Sequence, residues 1–108
     1  VKIGLDKELE RSSVRKIRAG KGKTRGRKYK TRKGPLIVVS DKCELQKSAK
    51  NIPGVDITTI RSINAELLAP GCVPGRLTIF TDKAIERLDK EKLFTGIKIA
   101  KKTKEDKK

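Results

Sequence analysis

The chain has 108 residues, 39% of them charged, and a formal net charge of +16. This length allows one domain at most, and so large a positive charge predicts a polyanionic partner, above all a nucleic acid. With two cysteines and no histidine, the chain can form neither a disulfide framework nor a Cys/His zinc site. No apolar stretch approaches the ~20 residues of a membrane span, and none resembles a signal peptide, so we expect a soluble intracellular protein.

The charge is unevenly distributed and divides the chain. Residues 1–10 carry −1 and residues 11–33 carry +12, whereas residues 34–89 are neutral and the remainder carries +5. We therefore expect four segments. They are an N-terminal helix within residues 1–19, a basic glycine-rich arm at 20–34, an α/β core segment at 35–89, and a basic tail at 90–108 that is disordered or lies along RNA. A core of about 55 residues is marginal alone, so we expect it to be part of a larger domain.

The first element in chain order is a predicted helix over residues 6–17. Leu5, Leu9 and Ile17 would lie on one side of it. Acidic residues fall in its first half and basic residues near its end, which suits the helix dipole. Gly20 and the glycines that follow then end the helix, and residues 20–34 show no apolar periodicity. This pattern predicts an extended, irregular basic arm.

The middle of the chain predicts a β-α-β-α-β-α order. Strands are expected at residues 36–39, 55–60 and 76–80, because these runs are rich in β-branched and apolar residues. Helices are expected at 43–51, shortly after residue 62, and after residue 82. Strands that alternate with helices predict an α/β fold with a parallel sheet covered by helices on both faces.

Capping and helix-breaking residues set the expected bounds of these helices. Asp41 is the expected cap of the first core helix, which the Pro53-Gly54 pair would end. Ser62 is the expected cap of the second, with Ile63, Leu67 and Leu68 on its buried side. Thr81 or Asp82 is the expected cap of the third, with a stripe formed by Ala84, Ile85 and Leu88.

The sequence argues against an enzyme. The run Gly22-Lys23-Thr24 looks like the end of a P-loop, but that motif needs a glycine where Ile17 stands and a strand before it. The glycines also miss the dinucleotide fingerprint by one residue. With no histidine, scattered carboxylates and serines in helix or cap contexts, neither general acid–base nor nucleophilic catalysis is indicated. We expect no catalytic residue, metal or cofactor.

The basic arm is the predicted nucleic-acid interface. Arginine grips phosphate with two hydrogen bonds, and glycine lets the backbone approach a crowded sugar-phosphate surface. Tyr29 is the aromatic residue of the arm and is available to stack on a base or to donate to a phosphate. A solvated charge run or a nuclear-import signal is the simpler alternative. The predicted contacts are Arg18, Lys21, Lys23, Arg25, Arg27, Lys28, Tyr29, Lys30, Arg32 and Lys33.

Arg76 is a further expected contact, on weaker grounds. It follows the turn-forming loop at residues 70–75, which contains two prolines and two glycines. Its guanidinium could meet a phosphate, or it could be a structural residue at the end of a strand. We favour the structural interpretation while keeping Arg76 among the nucleic-acid-binding candidates.

Five segments in the same order resemble the C-terminal part of the ribosomal protein L4 family, in its archaeal and eukaryotic form. The resemblance covers about residues 8–88. One departure is Cys72, where the family usually has a second glycine after Ala-Pro-Gly, which leaves open how this loop turns. The five segments are RAGKGKTRGRKY (18–29), GPLIVVS (34–40), AKNIPGV (49–55), NAELLAPG (64–71) and PGRLTIFT (74–81).

The resemblance implies a structural constituent of the large ribosomal subunit, which binds large-subunit rRNA during and after assembly. It also implies a three-layer α/β/α fold to which this chain supplies three strands, whereas an edge strand and the extension toward the peptide exit tunnel belong to the N-terminal part of family members. Neighbouring large-subunit proteins are the other implied partners, and the ribosome in the cytoplasm is the implied location. A DNA- or tRNA-binding α/β module is the alternative, and no membrane or small-molecule substrate is expected.

Overall fold

The computed structural model describes residues 3–96, which form two sheets and four α-helices. Strands β1 and β2 make a two-stranded sheet, and strands β3, β4 and β5 make a second sheet in the order β4-β3-β5. Short 3-10 turns occur at Lys21–Lys23, Ile60–Ser62 and Pro70–Cys72. The elements are α1 (Asp6–Ser13), β1 (Arg15–Ile17), β2 (Tyr29–Thr31), β3 (Leu36–Val39), α2 (Leu45–Ala49), β4 (Asp56–Thr59), α3 (Ala65–Leu68), β5 (Thr78–Phe80) and α4 (Asp82–Glu91).

The second sheet is parallel, and β3 lies at its centre. Leu36 pairs with Asp56 on one side and with Thr78 on the other. The strand has the continuous apolar sequence typical of a strand covered on both sides, and Leu36 and Val38 have no exposed surface at all. The predicted α/β class and parallel sheet are therefore confirmed.

The core forms where α4 and the turn after β4 meet the central strand. Leu36 and Val38 project from the same side of β3 and cluster with Ile60 and Ala84, all four fully buried. Partly buried apolar side chains pack around this cluster, and Ala49 of α2 is buried beside β4. These additional core side chains are Ile63, Leu67, Leu88 and Leu93.

The N-terminal helix ends earlier than the sequence predicted. α1 stops at Ser13, and Val14 has an extended backbone, with φ −66° and ψ 116°. Arg15–Ile17 is strand β1, and Ile17, predicted on the apolar side of a helix, is 61% exposed. The prediction of a helix to residue 17 was wrong because the backbone of 15–17 pairs with β2, a contact across the arm that helical periodicity does not register.

Two predicted caps were wrong as well. Asp41 caps no helix: it pairs with Arg87, and α2 begins four residues later without a side-chain cap. Ser62 lies in a 3-10 turn. Asn64 caps α3 instead, because its Oδ1 accepts a hydrogen bond from the Leu67 amide at 2.8 Å. Thr81 is the N-cap residue of α4, though its side chain makes no capping hydrogen bond.

The apolar stripe predicted for α4 is only partly buried. Ala84 is fully buried and Leu88 packs on the core, whereas Ile85 is 54% exposed. The third strand is also shorter than expected, because Arg76 and Leu77 precede β5 rather than belonging to it.

The basic tail predicted for residues 90–108 lies mostly outside the described residues. Its first two residues continue α4, which ends at Glu91, and residues 97–108 are not among those described. Among the residues that are described, no helix has the length and apolarity to cross a membrane. Cys43 and Cys72 are both exposed free thiols.

Candidate nucleic-acid interface

Residues 15–31, which include most of the predicted basic arm, form a β-hairpin and not an irregular extended segment. Strands β1 and β2 pair antiparallel, with Lys16 opposite Lys30 and Ile17 opposite Tyr29. Pairing continues one step toward the tip, where the Arg18 amide donates to the Lys28 carbonyl at 2.7 Å. The expectation of an irregular arm was wrong because cross-strand hydrogen bonds need no apolar periodicity. They satisfy the backbone although the side chains of both strands are exposed.

The loop at the tip of the hairpin is held by its own backbone. The Arg25 and Arg27 amides both donate to the Gly22 carbonyl, at 3.2 and 3.1 Å. Arg18 also crosses the loop, its Nε donating to the Arg27 carbonyl at 2.9 Å. The chain reverses at Gly20 and Gly26, whose φ values of 87° and 76° fall in the left-handed region that favours glycine.

The two faces of the hairpin differ in chemistry. Because side chains alternate along a strand, Lys16 and Lys30 share one face of the hairpin. The opposite face carries Arg15, Ile17, Tyr29 and Thr31. One face is therefore purely cationic, and the other combines a cation with apolar and aromatic groups.

Most of the predicted cations lie in solvent. Within the described residues 3–96, no acidic side chain forms an ion pair with any cation from Arg15 to Arg32. Arg18 is half-buried against the loop. A cluster of like charges with no internal counterion gains most from an external polyanion. The exposed cations among the predicted contacts in this range are Lys21, Lys23, Arg25, Arg27, Lys28, Lys30 and Arg32.

Tyr29 lies under a guanidinium. The Cζ atom of Arg15 is 3.9 Å from the centre of the Tyr29 ring, and the Lys28 ammonium is 5.7 Å from it. This cation–π contact joins diagonal neighbours on the same face of the hairpin. The tyrosine remains 46% exposed, so its ring is available to a ligand.

At the base of the hairpin, Asp56 draws together two of the predicted contact residues. Its Oδ2 accepts from the Arg76 guanidinium at 2.6 Å and from the Lys33 ammonium at 3.1 Å. Partial burial of Asp56 raises the pKa of this carboxyl, but the hydrogen bonds from Arg76 and Lys33 outweigh burial, so its pKa is lowered overall.

Arg76 is a buried structural residue. Its side chain is 4% exposed, and it donates to the carbonyls of Gly34 and Leu67, each at 2.8 Å, as well as to Asp56. A guanidinium so deeply buried, with each of its three nitrogens donating inside the protein, is not accessible to a phosphate. Arg76 therefore links the start of β3, α3 and β4, in keeping with the structural interpretation that its position after the loop favoured.

Helix α1 braces the hairpin from the other side. The Arg11 guanidinium donates to the Lys33 carbonyl at 2.8 Å and pairs with Glu8 at 2.6 Å. The hydrogen bond from Arg11 lowers the pKa of the Glu8 carboxyl. The hairpin thus leaves the α/β body between two fixed points, Arg11 and Asp56.

A second charged cluster ties α4 to the end of the central strand. Glu91 accepts from Arg87 at 2.7 Å and from Arg61 at 2.9 Å, and Arg87 also pairs with Asp41 and donates to the Ser40 carbonyl. Hydrogen bonds from Arg87 and Arg61 lower the pKa of the Glu91 carboxyl. Every charge in this cluster has a partner, which is typical of a structural network.

The sequence interpretation missed two cations of the hairpin. Arg15 and Lys16 were assigned to a helix, and neither was among the expected contacts, although both lie exposed on β1. A usable signal was present: Val14 and Ile17 bracket them, and the Tyr29–Thr31 run has the β-branched and aromatic character of a partner strand.

Across residues 3–96, no cluster of acidic and cysteine side chains could hold a metal ion.

A cationic hairpin that projects from an α/β body is typical of proteins that bind nucleic acids. Residues 4–91 match the family model described as the Ribosomal protein L4/L1 family. The chain therefore belongs to this family, whose members are structural ribosomal proteins rather than enzymes.

Three archaeal relatives, each named large ribosomal subunit protein uL4, support the assignment. The protein of Nanoarchaeum equitans is 58% identical over 95 residues, covering 87% of this chain and 35% of the relative. Those of Methanococcoides burtonii and Archaeoglobus fulgidus are 53% and 51% identical over 87 residues, covering 80% of this chain and 34% of each relative. The chain thus spans about a third of the length of the curated relatives it matches.

Proposed function

We propose that this chain binds large-subunit rRNA through its basic hairpin and thereby supports assembly of the large ribosomal subunit. The observation that carries the proposal is the set of exposed cations between Arg15 and Lys33, which among the described residues meets an acid only at Lys33. The expected contacts are those named from the sequence, apart from Arg76, together with Arg15 and Lys16.

Phosphate contacts are expected to dominate the affinity. The chain has three aromatic residues and 29 basic ones, so stacking on bases can supply only a small part of the interface. Paired backbone holds the hairpin in one shape before RNA arrives, which lowers the ordering entropy that binding must overcome. The result would be a rigid cationic strand pair that holds segments of rRNA together.

The finer parts of the family picture belong to the same proposal. We expect helices on both sides of the parallel sheet, completed by further sequence, and neighbouring large-subunit proteins as additional partners. The ribosome in the cytoplasm is the expected location, and the lysine-rich end beyond residue 90 is expected to lie on rRNA or a neighbouring protein. DNA and tRNA are the competing ligands, and equal-length rRNA, tRNA and DNA fragments in competition would separate them.

A salt titration tests the hairpin directly. If about six cations contact phosphate, log affinity for RNA falls with log salt at a slope of about −4 to −5. Replacing Arg25, Arg27 and Lys28 together by alanine should make this slope less negative by about 2 to 3. The matched control replaces Lys42, Lys47 and Lys50, which lie before, within and just after α2; it changes the net charge by the same amount. An unchanged slope in the hairpin variant, or an equal change in the control, would remove the hairpin from the contact.

A further inference from the structure

The hairpin carries a feature that phosphate binding does not use. Tyr29 and Ile17 lie directly opposite each other on the face away from Lys16 and Lys30, and they are 46% and 61% exposed. On a hairpin whose other side chains are mostly charged, these two exposed groups, placed side by side, form a distinct small surface.

Arg15 completes this surface. It shares the face with Tyr29, and its Cζ atom lies 3.9 Å from the ring centre. The guanidinium lies over one face of the ring, and both side chains remain exposed. Within the described chain Arg15 has no acidic partner that would hold it elsewhere.

We propose that Arg15 and Tyr29 form a platform on which one unpaired RNA base stacks, while the Lys16–Lys30 face neutralises phosphates. This inference rests on the proposed function and deepens it by naming an unpaired nucleotide as the ligand of one face. Aromatic rings and guanidinium planes both stack on bases, and Ile17 supplies an apolar edge beside the ring.

The ligand is unpaired for a geometric reason. A base within an A-form helix is stacked on both sides, and its major-groove edge lies in a groove too deep and narrow for side chains. A bulged or looped base exposes a whole ring face. The platform therefore distinguishes RNA with unpaired bases from a perfect duplex, a distinction that the lysine face cannot make because phosphates are present in both.

The chain carries its own probe for this contact. Tyr29 is its one tyrosine, and the chain has no tryptophan, so intrinsic fluorescence excited in the tyrosine band reports on this single ring. The full chain is titrated with a fully paired RNA duplex and with the same duplex carrying a bulge of unpaired adenines. We expect strong quenching at saturation with the bulged RNA and little with the duplex. Equal quenching by the two RNAs, or none with saturating bulged RNA, would overturn the platform.

Variants give a second readout. Tyr29→Leu should weaken binding to the bulged RNA about 5- to 100-fold and leave duplex binding within about twofold. Tyr29→Phe, the matched control, should retain the affinity, because stacking needs the ring and not the hydroxyl. An equal loss for both RNAs in Tyr29→Leu would mean that the ring only supports the hairpin, and would refute the platform.

The two proposals fail in different ways. Replacing Lys16 and Lys30 by alanine should weaken duplex and bulged RNA alike and reduce the salt slope of both by about 2, without changing the preference for the bulge. If the unaltered chain bound the duplex with no salt dependence, the proposed function itself would fall. If salt-dependent duplex binding persisted while Tyr29 neither quenched nor discriminated, only the platform would fall.

Discussion

Ser12 and Gly54 meet at the base of the hairpin so closely that no side chain fits between them. A Cβ atom on Gly54 would lie 2.7 Å from the Cβ of Ser12, which is fully buried, and 2.9 Å from the Arg32 carbonyl oxygen. The Ser12 hydroxyl is positioned to donate to the carbonyls of Pro53, at 3.1 Å, and Leu9, at 3.0 Å. This contact fastens α1 and the end of the hairpin to the turn before β4.

Replacing Gly54 by alanine should therefore destabilise the fold strongly. Its φ of +77° strains any L side chain, and the new methyl would meet backbone as well as Ser12. We expect a loss of about 3 kcal/mol in the free energy of unfolding, measured by urea denaturation.

Gly71→Ala is the matched control for the Gly54 substitution. The φ of Gly71 is similar, at +69°, but nothing lies within 4 Å of the added Cβ, so only the strain of about 1 kcal/mol remains. Equal losses in the two variants would show that the close approach to Ser12 contributes nothing.

Asp56 should make stability depend on acid. Its pKa is lowered in the folded state, since the hydrogen bonds from Arg76 and Lys33 outweigh burial, so the ionised carboxylate stabilises the fold above its unfolded pKa of about 3.9. That stabilisation is lost as the pH falls through the lower, folded-state pKa. Asp56→Asn should lower the free energy of unfolding by about 2 kcal/mol near neutral pH. The difference in stability between this variant and the unaltered chain should shrink as the pH drops from about 5 to about 2.

Urea midpoints measured across this pH range check the prediction for Asp56. Lys33→Ala is the control, because the Lys33 side chain is 60% exposed and an exposed ion pair contributes about 0–1 kcal/mol. If the stability difference between Asp56→Asn and the unaltered chain stayed constant down to the lowest pH, the negative charge of Asp56 would not be what stabilises its contact with Arg76.

Cys72 has a backbone conformation that suits glycine. Its φ is +60°, next to Gly71 with a φ of +69°, so this loop turns as it would with the glycine that the family usually has at this position. Cys72→Gly should relieve the strain and, after the added freedom of the unfolded chain is subtracted, raise stability by about 0.5 kcal/mol. Cys72→Ala keeps the Cβ and should leave stability unchanged in the same thermal unfolding measurement; a gain as large as that of glycine would point to the thiol instead of the backbone.

Glu91 should contribute stability that depends on salt. It accepts hydrogen bonds from both Arg61 and Arg87, joining α4 to the turn after β4. Glu91→Gln should lower the midpoint of thermal unfolding at low ionic strength. The difference in midpoint between this variant and the unaltered chain should become smaller in concentrated salt, because salt screens exposed charges.

Glu86→Gln is the comparison for Glu91. Its partner on the same helix, Lys90, lies 3.5 Å away and both side chains are exposed, so we expect almost no change in the midpoint. If the two variants behaved alike, the bridge to Arg61 would be irrelevant to stability.

Sequence periodicity identified the central strand and the class of fold because those depend on local composition. Leu36–Val39 is a run of four apolar residues bounded by Pro35 and Ser40, and no other element accommodates it as well as a buried strand. The Pro53-Gly54 pair likewise separates α2 from β4, since proline disfavours helix at the residue before it. Such patterns involve only neighbouring residues, so they can be recognised without knowing which distant residues lie nearby in the fold.

The errors arose where a distant partner determines the local structure. Arg15–Ile17 is a strand because Tyr29–Thr31 lies beside it, and a helical pattern of leucines before it gave no warning. Asp41 lies beside Arg87, 46 positions later in the chain, and so is not a helix cap. In each case the competing interaction outweighed a local preference of about 1 kcal/mol or less.

The amino-acid order alone determined that this protein is cationic in one stretch and apolar in another, because charge and hydropathy are properties of single residues. The tertiary structure alone decided which cations are free. Arg76 and Arg25 are the same residue type, yet Arg76 is buried on Asp56 while Arg25 stands in solvent at the tip of the hairpin. The physical reason is that a charge is available to a ligand only where folding leaves it without a partner, and folding brings partners together from positions far apart in the chain.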